Sequence, residues 1–418
     1  MDAQTTTDKE IPAITDSGTR AACLLHLSSD YLDPIRPPPL TDAVRRLVDR
    51  LTDHSQIVIS LQRVSDPRKT FWRDFGIVDG RRLIVHAYFA PAFGIGMFWC
   101  QWRVAARIRR FLETENIRPD IVHAHRFTFE GIAGWLLARR FSAALFFSVR
   151  GEVEGKVFSA KPAYRLLFRR MARDAARIYF VSAWFKSRFF RHTGVASEKT
   201  DMLPNIVHNA CRTMAETVPE PRIVIAMSLR AIDKKGLPEL LRAFADAGSA
   251  LGGVTLEIIG EGPQADQDRV LCLIEENRLT GRAFLKAPMK NADLLTYFSS
   301  SLGVAMPSFN ETFGMVYAEA LFAGAPILYS AGTGIDGYLD ELPVGVAVTP
   351  GNVESIRDGL IRLVADNTSM RSAIRDNIET LCKRLHPDEV IGRYRHAISE
   401  IMARKPGARS QSYTRDDC

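Results

Sequence analysis

The chain has 418 residues, 46% of them hydrophobic and 25% charged, and carries a formal net charge of +7. That length exceeds one ordinary core and predicts two globular domains of roughly 200 residues each. No run of about 20 residues is apolar enough to span a bilayer, and the six scattered cysteines, with no CxxC pair, speak against a disulfide framework or a zinc site and fit a reducing cytoplasm. The acidic, polar N-terminus lacks the form of a signal peptide; residues 1–19 and 405–418 are expected to be disordered. The positive excess sits in the first half, where residues 101–200 hold roughly 20 Lys/Arg against roughly 8 Asp/Glu.

In chain order, strands and helices alternate. Strand 21–28 precedes a helix over 41–53 with Thr41 as N-cap. Strands follow at 56–62 and 82–88, then an arginine-rich helix over about 99–116 and the strand PDIVHAH (119–125). Helix GIAGWLLARRF, strand ALFFSVRG, helix YRLLFRRMARDA, strand RIYFVS and helix AWFKSRFFRHTG complete a first unit over 20–208. Periodicity lapses at 209–221, where prolines gather, and restarts at RIVIAMS (222–228). Helix LPELLRAFADAG, strand VTLEIIG, helix QDRVLCLIEENRL, strand AFLKAP, helix ADLLTYFSSS and strand LGVAMPS build a second unit over 222–387. A last helix, 388–404, is placed to reach back onto the first. This alternation predicts two doubly wound α/β domains with parallel sheets, facing a cleft beyond the carboxyl ends of their strands.

Three stretches bring chemistry to that cleft. In PSFNETFGMVYAEALFAGAP (307–326) an apolar helix, expected over 313–325, holds two carboxylates, costly unless something pairs with them. Glu311 falls at the helix mouth, where the amides of Phe313, Gly314 and Met315 suit an anion or sugar hydroxyls. Glu319 falls two turns in, about 80° around. On these residues alone, Glu311 can equally complement the helix dipole while Glu319 pairs with a basic neighbour. In SLRAIDKKGLPELLRAF, Arg230 and Lys235 flank a loop that Gly236 closes, two cations that suit a diphosphate or, read plainly, a solvated basic turn. In IIGEGP, Gly260 and Gly262 let the backbone approach a ribose or base, although glycine turns after strands are common.

In order, R-x4-K-G, IIGEGP and PS-x2-E-x-FG-x4-EA-x3-G-x-P resemble the donor domain of family 4 glycosyltransferases, retaining enzymes of the GT-B fold. PDIVHAH, FVSAWFKSRF and MLPNIVH resemble the family's acceptor domain, and the likeness spans about residues 20–400. It implies that Arg230 and Lys235 bind a nucleotide-sugar diphosphate and that Glu311, with the Phe313 and Gly314 amides, holds the sugar. Glu319 would accept from the ribose, and His125 would lie near the transferred sugar; a buried structural histidine is the plain alternative. No metal or cofactor is implied. By helical rise the two glutamates stand about 12 Å apart, beyond the roughly 5 Å of a retaining glycosidase pair. Same-face substitution, with a phosphate oxygen taking the acceptor's proton, follows better.

The chain departs from the family at SSDYLDPIRPPP, where a glycine-rich turn is usual, at Arg150, where a histidine is common, and at AGTGIDGYLDE, where a glycine pair is common. The first two bear on the acceptor, the third on the donor sugar. The literal GxGxxG of Gly332, Gly334 and Gly337 lacks a following long helix, so it is no dinucleotide fingerprint; DQD (266–268) opens a helix and is a poor metal site. Residues 87–111 and the arginines Arg165, Arg169, Arg170 and Arg173 fit an anionic membrane surface, or simply a core loop and solvated helices. The sequence is thus read as a cytoplasmic transferase, possible at the inner face of the plasma membrane, moving a sugar from a nucleotide-sugar donor to a glycan or lipid-linked acceptor. Alternatives are nucleotide-sugar hydrolysis or epimerisation on the same scaffold and non-enzymatic nucleic-acid binding, the latter without a recognition motif.

Overall fold

A computed structural model describes residues 21–36, 41–208 and 217–404. The segments expected to be disordered, and most of the expected linker, lie outside these.

Among the described residues the first unit has eight strands: β1 (Cys23–Ser28), β2 (Ser55–Val64), β3 (Phe71–Val78), β4 (Arg81–Phe89), β5 (Ile121–Ala124), β6 (Ala144–Val149), β7 (Arg177–Phe180) and β8 (Thr200–Met202), in the order β3-β4-β2-β1-β5-β6-β7-β8. The second has β9 (Glu220–Ala226), β10 (Thr255–Ile259), β11 (Ala283–Lys286), β12 (Ser301–Met306), β13 (Ile327–Ser330) and β14 (Gly345–Val348), in the order β11-β10-β9-β12-β13-β14. Its pairings are parallel throughout. Only β3, an edge strand, runs antiparallel to its neighbour. Central strands read as unbroken apolar runs, such as Ile223, Val224 and Ile225, because helices cover both faces of a parallel sheet and bury both sets of side chains.

Both sheets reverse their strand order once, between β1 and β5 in the first and between β9 and β12 in the second. At such a switch point the two flanking connections leave toward opposite faces and open a crevice beyond the strand ends. The two crevices meet in one cavity, lined by Asp30 and Arg126 from the first and by Met227, Ser228 and Glu311 from the second.

Several expected elements change extent. The helix expected at 41–53 spans Ala43–Asp49. Its N-cap is Asp42, whose carboxylate pairs with Arg46 at 2.8 Å rather than capping, while Thr41 Oγ1 accepts from the Ala43 amide at 3.3 Å. The helix expected at 313–325 spans only Met315–Phe322, bounded by Gly314 and Gly324, both left-handed. Strand β3 and the helix Glu152–Ala160 are additional to the expected elements.

The last helix, Pro387–Arg404, packs on the first unit. Its Val390, Ile391, Tyr394 and Ile398 share a core with Leu24, Ile121, Phe146 and Tyr179. Arg50 meets Asp388 at 2.9 Å and Arg395 meets Asp53 at 3.2 Å along its flank. Among the described residues, no helix is long and apolar enough to cross a membrane.

Candidate active site

The cavity between the two switch points has a volume of about 820 Å3, within the usual range for a site that encloses a small molecule.

On the second unit's side, the chain leaves β12, turns through Ser308–Thr312 and enters the helix Met315–Phe322 through Gly314. Gly314 has φ +75, and a Cβ there would come within 2.5 Å of the Tyr317 ring, so only glycine fits. Glu311 is held in that turn by its backbone. Thr333 Oγ1 accepts from the Glu311 amide at 2.7 Å and donates to its carbonyl at 2.9 Å, which also accepts from the Gly334 amide at 2.9 Å. This gives the glycine-rich 332–337 segment its work: it folds back over the turn and clamps Glu311. The carboxylate itself ion-pairs with Lys235 and accepts from the Thr312 amide at 3.2 Å. Lys235 is placed by Gly236, whose φ of +69 and closeness to the Pro307 carbonyl leave no room for a side chain.

Glu319 lies one turn into the helix, also against the cavity, and is largely buried. Burial pushes its pKa up, against the lowering effects of the His208 amide, which donates to it at 3.5 Å, and of the Arg46 guanidinium. Because Glu311 precedes the helix rather than riding on it, the separation read from helical rise does not apply. The two carboxylates are distinguished instead by their partners, a lysine for one and a backbone amide for the other.

On the first unit's side the switch point is built from charge. Arg126 reaches Asp30 through contacts at 2.7 and 2.9 Å, and Arg150 Nε lies 3.9 Å from Asp30. Burial alone would raise the Asp30 carboxyl, but Arg126 and Arg150 outweigh it and hold the pKa below the ordinary value. Beneath them, buried Glu130 accepts from the Ser29 amide at 2.7 Å, and buried Glu154 accepts from the amides of Gly151 at 2.9 Å and Phe127 at 3.2 Å. Burial raises both of these pKa values, with Arg126 pulling against it.

The two halves touch around the cavity. Lys234 meets Glu152 at 3.5 Å, Ser182 Oγ donates to the Thr312 carbonyl at 2.7 Å, and the Tyr338 hydroxyl lies 3.0 Å from the Phe180 carbonyl. A Cβ on Gly337 would stand 2.9 Å from that of Ala183, so this glycine permits the close approach.

Of the expected residues, Lys235, Glu311, Glu319, Gly260, Gly314 and Met315 line this one cavity. Phe313 does not: its ring is buried edge-on against Tyr338, with centroids 5.3 Å apart. At Gly260 and Gly262 packing by itself already excludes a side chain, since a Cβ would strike the Met227 carbonyl at 2.2 Å or the Leu229 side chain at 2.7 Å; Gly262 lies outside the lining. Arg230 stands exposed on a short turn anchored by buried Leu229, outside the lining; Lys234 occupies the cavity wall in its place. Asp266 and Asp268 open the helix Gln264–Glu276, also outside the lining, where Asp268 accepts from Gln264 at 2.8 Å.

Of the two readings of His125, its burial favours the structural one: it lies in the core, stacked on His123 with ring centroids 4.0 Å apart and facing His26 Nδ1 at 3.1 Å through its Nε2. Burial, reinforced by neighbouring cations and rings, lowers all three pKa values, that of His26 to about 3. Candidate ligand atoms of the three lie within 4.8 Å of one another. The His123 ring, however, already faces Tyr394 at 2.8 Å and Ser148 at 2.9 Å through its two nitrogens. The cluster joins the last helix to the sheet. Asp30, Arg126, Lys234 and Glu152 were not singled out in the sequence; the hints of the first pair were the two departures from the family pattern at SSDYLDPIRPPP, which contains Asp30, and at Arg150.

Two parallel-sheet domains with a cavity between their switch points define the GT-B architecture. The family models agree: residues 214–380 match Glycosyl transferases group 1 and residues 40–206 match the Glycosyl transferase 4-like domain, most of the chain between them. The chain belongs to these GT-B, family 4 glycosyltransferases. Among curated relatives, D-inositol 3-phosphate glycosyltransferase of Mycobacterium tuberculosis is 25% identical over 308 residues, covering 68% of this chain and 63% of the relative's length. Sucrose-phosphate synthase of Thermosynechococcus elongatus superposes with TM-score 0.66 at 17% identity over 91% of this chain and 99% of that one. HepE of Anabaena in complex with UDP does so with TM-score 0.65 at 14% identity over 91% of this chain and 100% of that one. At these identities the structural likeness speaks to fold alone.

Proposed function

We propose that the protein transfers a sugar from a nucleotide-diphosphate donor to a lipid-linked or polysaccharide acceptor with retention of anomeric configuration. The observation that carries this reading is the Lys235–Glu311 pair, fixed at the second switch point and facing the first across one cavity. A lysine beside a carboxylate at a strand end offers a cation for a diphosphate and an acceptor for sugar hydroxyls a few ångströms apart. Lys235, with Arg230 swinging in from its turn, would take the diphosphate. Glu311 and the amides opening the Met315–Phe322 helix would take the sugar, and Glu319 the ribose. A UDP-sugar is the first donor to try, because HepE of Anabaena is held with UDP and with UDP-glucose.

In the proposed step the bond from anomeric carbon to phosphate oxygen breaks and the acceptor oxygen attacks the same face. Its proton passes to the departing phosphate, whose growing charge Lys235 offsets. Both glutamates are engaged in binding, so neither is assigned as a nucleophile. Five cations line the wall, Arg46, Arg126, Arg150, Lys234 and Lys235; of these, Lys235 would offset the leaving group's charge in a mechanism without a metal ion.

The test is to incubate the purified protein with UDP-sugars and membrane lipid or glycan extracts, then follow UDP release and product configuration. Acceptor-dependent release with the donor's configuration kept is expected. Release that ignores acceptor would move the protein to the hydrolases or epimerases, and an inverted product would end the same-face step.

A further inference from the structure

A second cavity, of about 280 Å3, lies in the first unit away from the cleft. Tyr88, Met97, Phe129 and Val157 contribute to its wall, and Phe93 and Ile95, 90% and 62% exposed, stand at its mouth. Arg63, Lys156 and Lys161 also line it, and no carboxylate does. We infer that this pocket seats the hydrocarbon chain of a phosphate-bearing lipid acceptor whose polar head lies in the cleft; this rests on the transferase reading above.

Three independent features converge on that occupant. One short helix, Glu152–Ala160, joins the two cavities: Glu152 and Val153 line the cleft, whereas Lys156, Val157 and Ala160 line the pocket. Glu152 to Val157 is about 8 Å of helical rise, a span that a phosphate and its first few chain carbons cover. The lining carries three cations and no carboxylate; Lys156 is paired with Glu152 at 2.8 Å, and Arg63 and Lys161 leave a positive balance that suits a lipid phosphate better than a neutral glycan. Phe93 holds φ 56, a conformation costly for a bulky residue, while leaving its ring in solvent. An aromatic side chain kept there against both backbone strain and hydration is accounted for by an apolar partner.

The surface beside the pocket fits delivery from a bilayer. On the helix Met97–Thr114, Trp99, Trp102, Arg103 and Arg110 fall on one face and are all exposed. Tryptophan beside arginine is the composition that settles at a membrane interface, rings at headgroup depth and guanidinium groups on phosphate. The chain would thus leave the bilayer at Phe93 and Ile95 and enter the protein without crossing water.

The experiment is calorimetric titration with dodecyl phosphate below its micelle concentration, against butyl phosphate and inorganic phosphate. Wild type is expected to bind the long-chain probe about tenfold or more tighter than butyl phosphate, and Ile95→Asp and Phe93→Ser to weaken it by about tenfold. Both side chains are largely exposed, so the variants are expected to unfold at temperatures close to wild type, and Lys161→Glu provides a charge-side check on the same site. Binding indifferent to chain length, or variants that bind as wild type does, would overturn the pocket. UDP-sugar binding by the wild-type protein, measured in parallel, separates the failures: its loss ends the transferase reading, whereas its presence without chain dependence ends only this inference.

Discussion

The two switch points solve the same geometric problem with different materials. The one in the second unit is made by backbone. Gly236 and Gly314 take left-handed conformations that aim Lys235 and Glu311 into the cavity, and the 332–337 loop clamps the Glu311 main chain. The one in the first unit is made by side-chain charge: Asp30, Arg126 and Arg150 cross-link strand ends 96 residues or more apart, with buried Glu130 and Glu154 tying the loops beneath. Backbone placement holds Lys235 and Glu311 as one ion pair on the cavity wall, where a ligand's own charge and hydroxyls would exchange with it. Charge placement commits the first unit's groups to one another. The first arrangement suits chemistry and the second suits scaffolding, and mutations should separate them.

The largest effects are expected at the backbone-built site. Glu311→Ala or Lys235→Ala should each lower kcat/KM for transfer about 100-fold to 1,000-fold, the scale of losing a charge-stabilising group, with little change in stability. Asp30→Ala should do the reverse, costing about 2 kcal/mol in denaturant unfolding because it strands Arg126 in a half-buried setting. If Asp30→Ala unfolds like wild type while transfer collapses, the scaffold assignment is wrong.

That second effect carries a pH signature. Because Arg126 and Arg150 depress the Asp30 pKa, its stabilisation is present above the ordinary value of 3.8 and is lost as pH falls through the depressed one. The stability gap between wild type and Asp30→Asn should therefore be full at neutral pH and close below about pH 3.8. Gly314→Ala is expected to cost about 1–2 kcal/mol, from the positive φ and the Tyr317 contact, and to misplace Glu311. A variant with unchanged thermal unfolding would refute the backbone explanation. Glu319→Gln should give the smallest change and the opposite pH trend. Burial raises the Glu319 pKa, so wild type keeps the stability of the protonated form below 4.5 and loses it as pH rises through the raised value. Wild type should fall behind Glu319→Gln with rising pH, as a series of melts would show.

The same contrast explains what was legible in the sequence. Two doubly wound domains followed from the alternation of apolar runs and amphipathic helices. Residues 307–326 announced the donor side because backbone-built sites are contiguous: Glu311, Gly314 and Glu319 sit within nine residues. Asp30, Arg126 and Arg150 have no spacing to read, and their pairing appears only once β1, β5 and β6 lie side by side. The surroundings of His125 were hidden for a related reason. Strand alternation puts His123 and His125 on one face, β1 places His26 opposite His123, and the last helix then covers them with Tyr394, a partner 271 residues from His123. Strand β3 was missed because its FWRDFGIV mixes charge with Gly76, whose left-handed backbone falls where the register shifts. Arg230 and Lys235 differ in fate although both are basic loop residues, since only the step to Gly236 turns the chain toward the cavity.

The central claim, that Lys235 takes the diphosphate and Glu311 the sugar of one donor, is tested most directly by calorimetry with UDP and UDP-glucose on wild type and the two alanine variants. Lys235→Ala should weaken both ligands, whereas Glu311→Ala should bind UDP nearly as wild type does and lose the added affinity for UDP-glucose. Equal binding of both ligands by all three proteins would contradict it.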